Sequence, residues 1–377
     1  MSNLKPCLYL SLWTLIFAFC SCQKNNSSSN SGGSGAAGTT TPPPTVTGIQ
    51  PSAGYGGKAV TISGSGFTAS TQDSVYFNGV KATVYSASDT QIVATVPSLC
   101  GSGKVSVTIN GTSYAGPVFT YDTVYAIKPL ATGLNNPQHI AADSNGNIYV
   151  ANFGDGTISK ISSDGTLTTF ASGFMLPHGV TTDSKNNVYV AANPGSGAIY
   201  EISPAGVVDS LAATATYLWG ITADAEGNLY AIGDNGSISY VTKVTPTGSI
   251  STLGGGVGTG ISTGICVNSA GTLYVAQDHA TLYAVSSSGS VSSLVLSGNT
   301  TGMSPSDVTV NTNGDFYITS YGNSSIYQVP PSGVASVIAT GLYSPIGITH
   351  DKYGNLYVVS FISSGTVIGQ VEELIAQ

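Results

Sequence analysis

Three side chains in the repeated part of this sequence have the chemistry of metal ligands. His139, His178 and Asp307 offer imidazole nitrogens and a carboxylate, which are suitable donors for a divalent metal. Around one ion they would form a Lewis-acid site. However, His139 is the third residue of its repeat and His178 is the second residue of its own. Because successive side chains of a strand point in opposite directions, these two should point in different directions. The sequence therefore predicts no catalytic residue, metal or cofactor, and this three-residue divalent metal site is the alternative.

The elements that carry these residues repeat six times between residue 124 and the C-terminus. The repeat core reads PQHIAADSNGNIYV at residues 137–150, and near-copies begin at residues 177, 218, 262, 305 and 345. A period of about 40 residues is typical of a four-stranded propeller blade. Each copy has a side chain that can accept backbone hydrogen bonds and start a turn, at Asp143, Asp183, Asp224, Asn268, Asn311 and Asp351. These features predict a six-bladed β-propeller over residues 124–377.

The two ends of the repeated region are predicted to complete one blade together. The sixth copy ends after its third strand, near residues 365–372. The segment ATGLNNP at residues 131–137 matches ASGFMLP at 171–177 and ATGLYSP at 339–345, which both follow outermost strands. Residues 124–130 should therefore be the outer strand of the last blade and close the ring.

This repeat resembles the NHL-repeat propellers, with kinship to gluconolactonase-like and virginiamycin-lyase-like rings. The resemblance covers residues 124–377 and implies the fold rather than an activity, because the family includes enzymes and binding scaffolds. It also implies that the positions opening each repeat lie near one mouth of a central channel. Gluconolactonase-like enzymes use a Glu/Asn/Asp set there, and we can assign no Glu of this sequence to it.

A candidate ligand site follows from that placement at the channel mouth. Aromatic side chains at a mouth can stack on a sugar ring or a peptide, and packing with hydrogen bonding is their alternative role. The predicted ligand-binding residues are Gln138, His139, His178, Trp219, Asp307, Asn152 and Tyr321. A propeller enzyme of lactonase or lyase type, with a metal at the mouth, is the alternative function.

Residues 45–121 alternate short strand patterns with turn signals. Seven short strands are predicted here, including residues 81–85 and a last strand at 118–121, with Asn78-Gly79 as a tight hairpin turn. They fit a two-sheet sandwich. The motifs PSAG at 51–54, VTISGSGF at 60–67, VYFNG at 75–79 and IVATVP at 92–97 resemble the IPT/TIG immunoglobulin-like domain. The resemblance implies an Ig-like sandwich that serves as a spacer, a glycan-binding module or a protein contact. The fold class predicted for the whole chain is all-β.

The N-terminus reads as a secretion signal with a lipid attachment site. Residues 8–19 are almost wholly apolar, and the small residue Ser21 before Cys22 resembles the lipobox of bacterial lipoproteins. Residues 1–22 are thus predicted to be a lipoprotein signal peptide with Cys22 lipidated, plain secretion being the alternative. Residues 23–44, rich in Ser, Gly, Thr and Pro, are predicted to be a flexible tether. Gln23 after the lipidation site favours the outer membrane, with surface exposure left open.

Composition narrows the range of partners. A formal net charge of −8, with only ten lysines and arginines, argues against nucleic acid, which requires a clustered positive face. Cys100 and Cys266 fall in different predicted domains and are expected to be buried free thiols. We predict a non-catalytic recognition protein of the cell envelope. Its partners would be a glycan, a peptide or another envelope protein, and its lipid anchor would contact the membrane.

Overall fold

A computed structural model describes residues 42–69, 72–98, 100–121, 125–235, 238–258, 263–277, 280–298, 300–362 and 368–376. Every regular element in these ranges is a β-strand, so the predicted all-β class is confirmed for them. Within the same ranges there is no helix long and apolar enough to cross a membrane. The predicted signal peptide, Cys22 and all but the last three residues of the tether lie outside the described residues.

Residues 45–121 form two facing sheets of an Ig-like sandwich. One sheet has the strand order β1-β3-β7-β6 and the other β2-β9-β8-β4-β5. Their inner faces pack one apolar core, in which Phe77 and Phe119 meet edge to face at 5.1 Å. The strands are β1 (Thr45–Gln50), β2 (Ala53–Gly54), β3 (Ala59–Ser65), β4 (Ser74–Phe77), β5 (Val80–Lys81), β6 (Thr83–Ala87), β7 (Gln91–Thr95), β8 (Gly103–Ile109) and β9 (Thr112–Tyr121).

The predicted hairpin at Asn78-Gly79 is confirmed, since both residues have positive φ and join β4 to β5. The prediction of seven strands is wrong in detail. The segment 81–85 is divided between β5 and β6, and the last strand begins at Thr112 rather than at residue 118. The cause of the second difference is a turn at Asn110-Gly111, where φ is again positive at both residues and β8 folds directly back onto β9.

The described strands from residue 125 onward form six antiparallel sheets of four strands, numbered I to VI, and the fifth gains a short parallel strand. Sheet I is β11 (Pro137–Ala142), β12 (Ile148–Asn152), β13 (Thr157–Ile161) and β14 (Leu167–Ser172). Sheet II is β15 (Gly179–Thr182), β16 (Val188–Ala192), β17 (Ala198–Ile202) and β18 (Val208–Ala213). Sheet III is β19 (Tyr217–Ala223), β20 (Leu229–Asp234), β21 (Ser239–Val244) and β22 (Ile250–Gly255).

Sheet IV is β23 (Ile265–Val267), β24 (Leu273–Gln277), β25 (Thr281–Val285) and β26 (Val291–Val295). Sheet V is β28 (Pro305–Val310), β29 (Phe316–Ser320), β30 (Ser325–Val329) and β31 (Val334–Thr340), to which β27 (Ser297–Gly298) adds in parallel. Sheet VI is β32 (Tyr343–His350), β33 (Leu356–Phe361), β34 (Ile368–Ala376) and β10 (Tyr125–Asn135).

The first strands of the six sheets contact one another in cyclic order, from β11 through β15, β19, β23, β28 and β32 back to β11. Glycines allow this close approach. A Cβ at Gly264 would collide with the backbone of Asp307, and one at Gly220 would collide with the carbonyl of Thr263. The result is a propeller-like arrangement with a narrow central channel, which brings the opening residues of the repeats together.

The predicted pairing between the two ends of the repeated region is confirmed. Strand β10 runs antiparallel to β34, from Tyr125 opposite Ala376 to Asn135 opposite Ile368. Val371 and Leu374 of β34 are fully buried, so the pairing belongs to the core.

The repeated Asp or Asn turns are confirmed as well. Asp143 accepts hydrogen bonds from the backbone amides of Asn145 and Asn147, at 2.9 and 2.8 Å, and from the Tyr149 hydroxyl at 3.2 Å. Related backbone bonds recur at Asp183, Asp224, Asn268, Asn311 and Asp351. Each turn therefore fixes the distance between the first and second strands of its sheet. Cys100 and Cys266 are buried free thiols, as expected.

Candidate functional site

One end of the channel opens into a cavity of about 370 Å³. One residue at the corresponding position of each repeat, in the first strand of its sheet or just before it, contributes to the lining. These six residues are Gln138, His178, Trp219, Thr263, Ser306 and Ile346, and they are joined by His139, Pro305 and Tyr321. We call this space the mouth cavity, and the end of the sheets around it the mouth side. Its volume falls at the lower end of the range for small-molecule sites.

Local irregularities in three strands aim side chains at the mouth cavity. The register skips Gln138 in β11, Trp219 in β19 and Ser306 in β28. Each of these residues is therefore the extra residue of a β-bulge, which turns a side chain away from regular alternation. His139 and His178 both border the mouth cavity, but their rings make different contacts, since His139 approaches Thr263 and Asp307 while His178 shares a hydrogen bond with Tyr217.

An aromatic cluster forms one wall. The ring of His178 lies 4.8 Å from Trp219, 4.8 Å from Phe153 and 5.5 Å from Tyr217, measured between centroids. His178 Nε2 and the Tyr217 hydroxyl share a hydrogen bond of 3.0 Å. Burial, aided by the charge of nearby His139, lowers the pKa of His178 to about 4. The imidazole is therefore neutral at physiological pH and offers the cavity an uncharged ring.

Trp219 and Tyr321 provide the other large aromatic surfaces. The indole Nε1 of Trp219 donates a hydrogen bond to the Asp234 carboxylate at the end of β20. Tyr321 follows β29 in sheet V and is 49% exposed, so its ring is accessible from solvent. Both rings have flat faces that suit a sugar, another ring or a cationic group.

His139 closes the channel below the mouth cavity. Its Nε2 lies 3.0 Å from the carbonyl oxygen of Thr263 in the segment before β23, and since a carbonyl only accepts, Nε2 carries a hydrogen. Its Nδ1 lies 3.8 Å from Asp307 Oδ2. His139 thus connects sheet I with sheets IV and V across the axis.

Asp307 lies beneath the mouth and not in its wall. Its two carboxylate oxygens accept the backbone amides of Val308, at 2.8 Å, and Ile348, at 2.9 Å. Burial raises the pKa of Asp307, although His139 and these amides oppose the effect. With His139 it lines a second space of about 70 Å³ along the channel. The prediction that Asp307 lines the mouth is therefore wrong, because its side chain is held by neighbouring strands.

Asn152 is also absent from the mouth cavity. It is 2% exposed, and its Nδ2 donates to Thr157 Oγ1 and Ser159 Oγ at 3.0 and 2.8 Å. At the last position of β12 its side chain is turned onto the third strand of its own sheet, which the repeat alignment alone does not reveal. The structure thus brings together five of the seven predicted residues, namely Gln138, His139, His178, Trp219 and Tyr321.

The alternative metal set is not assembled as a group of ligands. Nowhere in the part of the chain that the structure describes do three His, Cys, Asp or Glu side chains converge on one position for an ion. Among His139, His178 and Asp307, only His139 and Asp307 face each other closely, while His178 hydrogen-bonds Tyr217.

Sequence reasoning did not identify Tyr217, which orients His178. The available signal was the pair Tyr217 and Trp219, since aromatic residues two places apart in a strand lie on one face. Asn193, which directly follows β16, was not identified either. It holds the start of β19, since it accepts the amide of Leu218 at 2.8 Å and donates to the same residue's carbonyl at 2.9 Å.

The N-terminal sandwich matches a known domain family. Residues 44–121 match the model of the IPT/TIG domain family. This segment is an IPT/TIG domain. None of the curated proteins matches the sequence.

Solved structures resemble most of the chain at low identity. A protein of unknown function from Bacteroides thetaiotaomicron is 17% identical with a TM-score of 0.57, covering 90% of this chain and 99% of its own. An auxiliary nutrient binding protein from Bacteroides ovatus is 16% identical with a TM-score of 0.53, covering 89% and 98%. A gluconolactonase from Xanthomonas campestris is 12% identical with a TM-score of 0.55, covering 67% and 90%. At these identities the likeness concerns the fold.

Proposed function

We propose that this chain is a non-catalytic recognition protein of the bacterial cell envelope that binds its ligand in the mouth cavity. One observation carries the proposal: six equivalent positions, one from each repeat, meet around a cavity with aromatic walls. Concave, largely apolar sites with a few polar groups are where proteins bind small ligands. The ligand would be a glycan, a peptide or an exposed part of another envelope protein.

The hydrogen bonding of the cavity supports recognition over chemistry. A general base needs a free lone pair near its substrate, and a developing oxyanion needs free hydrogen-bond donors. In this cavity His139 Nε2 is directed at the Thr263 carbonyl and His178 Nε2 at Tyr217. The carboxylate of Asp307 accepts two backbone amides. These groups position the strands.

The architecture proposed with this function is a closed, six-bladed propeller over residues 124–377, following an IPT/TIG domain at residues 45–121. The six sheets and the cyclic contact of their first strands support six blades. The relatives include an auxiliary nutrient binding protein from Bacteroides ovatus, which supports a binding role. Under this proposal the sandwich and the tether, residues 23–44, lift the propeller from the membrane.

A ligand screen tests the proposal. The melting temperature of the purified protein is measured with and without each member of panels of oligosaccharides and short peptides. The shift caused by each ligand is then compared between the parent and two variants. Trp219→Leu removes an aromatic wall, while Tyr353→Leu removes an exposed tyrosine that lies outside the mouth lining. A ligand at 100 times its Kd stabilises the fold by about 2.7 kcal/mol. We expect stabilisation of the parent and of Tyr353→Leu, and none of Trp219→Leu. Ligands that stabilise all three proteins equally would refute binding at the mouth.

The enzymatic alternative is tested with the same preparations. Turnover of sugar lactones is followed by acid release in the parent and in His178→Gln. A rate above background that falls in the variant would replace the recognition proposal with a lactonase. Equal background rates in both proteins support recognition.

We further propose that the chain is lipid-anchored through Cys22 in the outer membrane. The support is the signal-like segment at residues 1–22 and the Ser21-Cys22 junction. Cells producing the parent should retain the protein in the membrane fraction, while Cys22→Ala should release it or leave it unprocessed. Equal membrane retention of both proteins, with no lipid-dependent mass difference, would contradict anchoring. Protease treatment of intact cells then distinguishes surface exposure from a periplasmic position.

A further inference from the structure

The polar hydrogens of the mouth cavity are largely donated into the protein. Gln138 Nε2 donates to both oxygens of Asn136, the side-chain oxygen at 2.9 Å and the carbonyl at 3.3 Å. The Thr263 hydroxyl donates to the carbonyl of Ser306. An amide nitrogen that donates to two acceptors, and a hydroxyl with its single hydrogen engaged, offer a ligand mainly lone pairs.

Other lining residues follow the same pattern. The Ser306 hydroxyl is within 2.9 Å of the carbonyl of Pro345, His139 Nε2 donates to Thr263, and the indole nitrogen of Trp219 donates to Asp234. Tyr321 and the second ring nitrogen of His178 are the lining groups whose hydrogens are not accounted for by these bonds. The cavity is therefore rich in acceptors and ring faces and poor in donors.

The charged side chains of the described propeller residues also disfavour an anion at the mouth, because the positive ones lie far from it. All five lysines lie toward the end of the sheets away from the mouth. Lys185 and Lys352 are in the turns between first and second strands, Lys160 and Lys243 are next to the last residue of a third strand, and Lys128 pairs with Glu373.

Two carboxylates, Asp155 and Asp234, lie in contrast on the mouth side, at the connections between second and third strands. Among the described residues from 125 onward, no lysine joins them there, and the sequence contains no arginine. Asp234 is hydrogen-bonded to the lining residue Trp219. Carboxylates on the side of a concave site, with no balancing cation, concentrate positively charged ligands there.

We infer that the mouth cavity selects an organic cation, that is, an ammonium group on a compact apolar body, either as a small molecule or as the end of a larger ligand. The inference rests on the proposed function and names its ligand class. Ring faces of Trp219 and Tyr321 attract a cation through their quadrupoles, and Trp is the strongest such partner. The hydrogen bond from the indole to Asp234 makes that ring more electron-rich. An anion would meet mainly lone pairs and carboxylates, with few donors to hold it.

Three probes of one shape isolate the charge. Choline, 3,3-dimethylbutan-1-ol and 3,3-dimethylbutanoate present a similar branched body as a cation, a neutral molecule and an anion. The sequence has two tryptophans, Trp13 and Trp219, so the full chain carrying Trp13→Phe reports on the cavity by the fluorescence of Trp219. We expect saturable quenching by choline, roughly tenfold weaker binding of the alcohol, and no binding of the carboxylate.

Matched variants locate the effect. Tyr321→Leu removes a ring face from the lining, whereas Tyr343→Leu removes a similarly exposed tyrosine at the same end of the sheets that is not part of the lining. Choline binding should weaken in Tyr321→Leu and stay at the parent value in Tyr343→Leu. Asp234→Asn should weaken choline roughly threefold to tenfold and leave the alcohol unchanged. Melting curves of the three variants confirm that they fold.

Some outcomes overturn the inference and leave the proposed function intact. If the alcohol or the carboxylate binds as tightly as choline, or if a neutral glycan stabilises the parent but choline does not quench Trp219, the cavity is a ligand site without cation selectivity. If choline binds equally to Tyr321→Leu and the parent, the cation is bound outside the mouth cavity, and the inference is again wrong.

Discussion

At the scale of single residues, burial is the largest influence on the pKa values of Glu372 and His178. Glu372 in β34 is 2% exposed, and its Oε1 accepts hydrogen bonds from Ser360 Oγ at 2.7 Å and Gln370 Nε2 at 2.6 Å. Its Oε2 is buried and has no hydrogen-bond partner among the residues that the structure describes. Burial outweighs the two hydrogen bonds and raises the pKa of Glu372 to about 7, from 4.5 in an exposed glutamate.

That pKa predicts how stability changes with pH. Between the two pKa values, folded Glu372 binds a proton that the unfolded chain has released, so its contribution to the free energy of unfolding falls as pH rises. Above the folded pKa the loss is complete and amounts to roughly 3 kcal/mol at most. Glu372→Gln cannot ionise, so it should remove this slope and be more stable than the parent at pH 8. Urea unfolding of both proteins at pH 5 and pH 8 measures the difference between their free energies of unfolding at each pH. An unchanged difference between the two proteins at both pH values would contradict the prediction.

His178 predicts a slope of opposite sign. Its pKa is about 4 in the folded protein and 6.5 in an exposed histidine, so the unfolded chain binds more protons below pH 6.5. Stability should therefore fall as pH decreases from 6.5 to 4, by roughly 3 kcal/mol at most. His178→Gln keeps a polar partner for Tyr217 and lacks this titration. Its unfolding free energy should be less acid-sensitive than that of the parent over this range, and a parallel pH profile would show that His178 is not buried as described.

At the scale of elements, the turn after each first strand holds the repeat together, and Asp143 allows a test. Asp143→Ala leaves two backbone amides and the Tyr149 hydroxyl without their acceptor, which should cost about 3 kcal/mol. Asp143→Asn keeps an oxygen for the amides and should cost about 1 kcal/mol. Asn268 already occupies the equivalent place in sheet IV with two backbone bonds. Equal losses in both Asp143 variants, measured by urea unfolding, would show that the carboxylate oxygen facing the amides is not what stabilises the turn.

The elements also show what can be predicted from sequence and what cannot. The repeat length, the turn residues and the pairing of β10 with β34 follow from local chemistry and from matching segments, which a sequence displays directly. The bulges at Gln138, Trp219 and Ser306 depend on how neighbouring sheets pack, so strand alternation alone could not show that these three side chains face the mouth cavity.

Within the site, the ring of opening positions was predictable and the hydrogen-bond network was not. Repeat alignment places Gln138, His178 and Trp219 at equivalent positions, and the structure puts all three in the mouth cavity. Asp307 is held by a strand distant in sequence, through the amide of Ile348. Asn152 bonds within its own sheet because of the rotamer that its side chain adopts. No repeat pattern encodes either, and for that reason both residues were wrongly assigned to the mouth.

At the scale of the whole molecule, the pairing of β10 with β34 joins the first and last strands of the propeller region. Lys128 and Glu373 are directly opposite each other in this pair, with a weak ion pair of 3.9 Å between a largely exposed lysine and a more buried glutamate. Partners in an antiparallel pair have Cα atoms about 4.5 to 5.5 Å apart, a spacing that a disulfide can span.

A disulfide at this position should stabilise the molecule more than a local one. Lys128→Cys with Glu373→Cys closes a loop of almost the whole propeller, for which the chain-entropy estimate is about 5 kcal/mol. Ala284→Cys with Ser292→Cys bridges neighbouring strands of one hairpin, for which the same estimate is roughly 2 to 3 kcal/mol. Oxidised and reduced forms of both variants are compared by urea unfolding. If the long-range pair does not oxidise, or if it stabilises less than the hairpin pair, β10 and β34 do not hold the ring closed, and the cyclic arrangement that places six residues around one mouth would have to be abandoned.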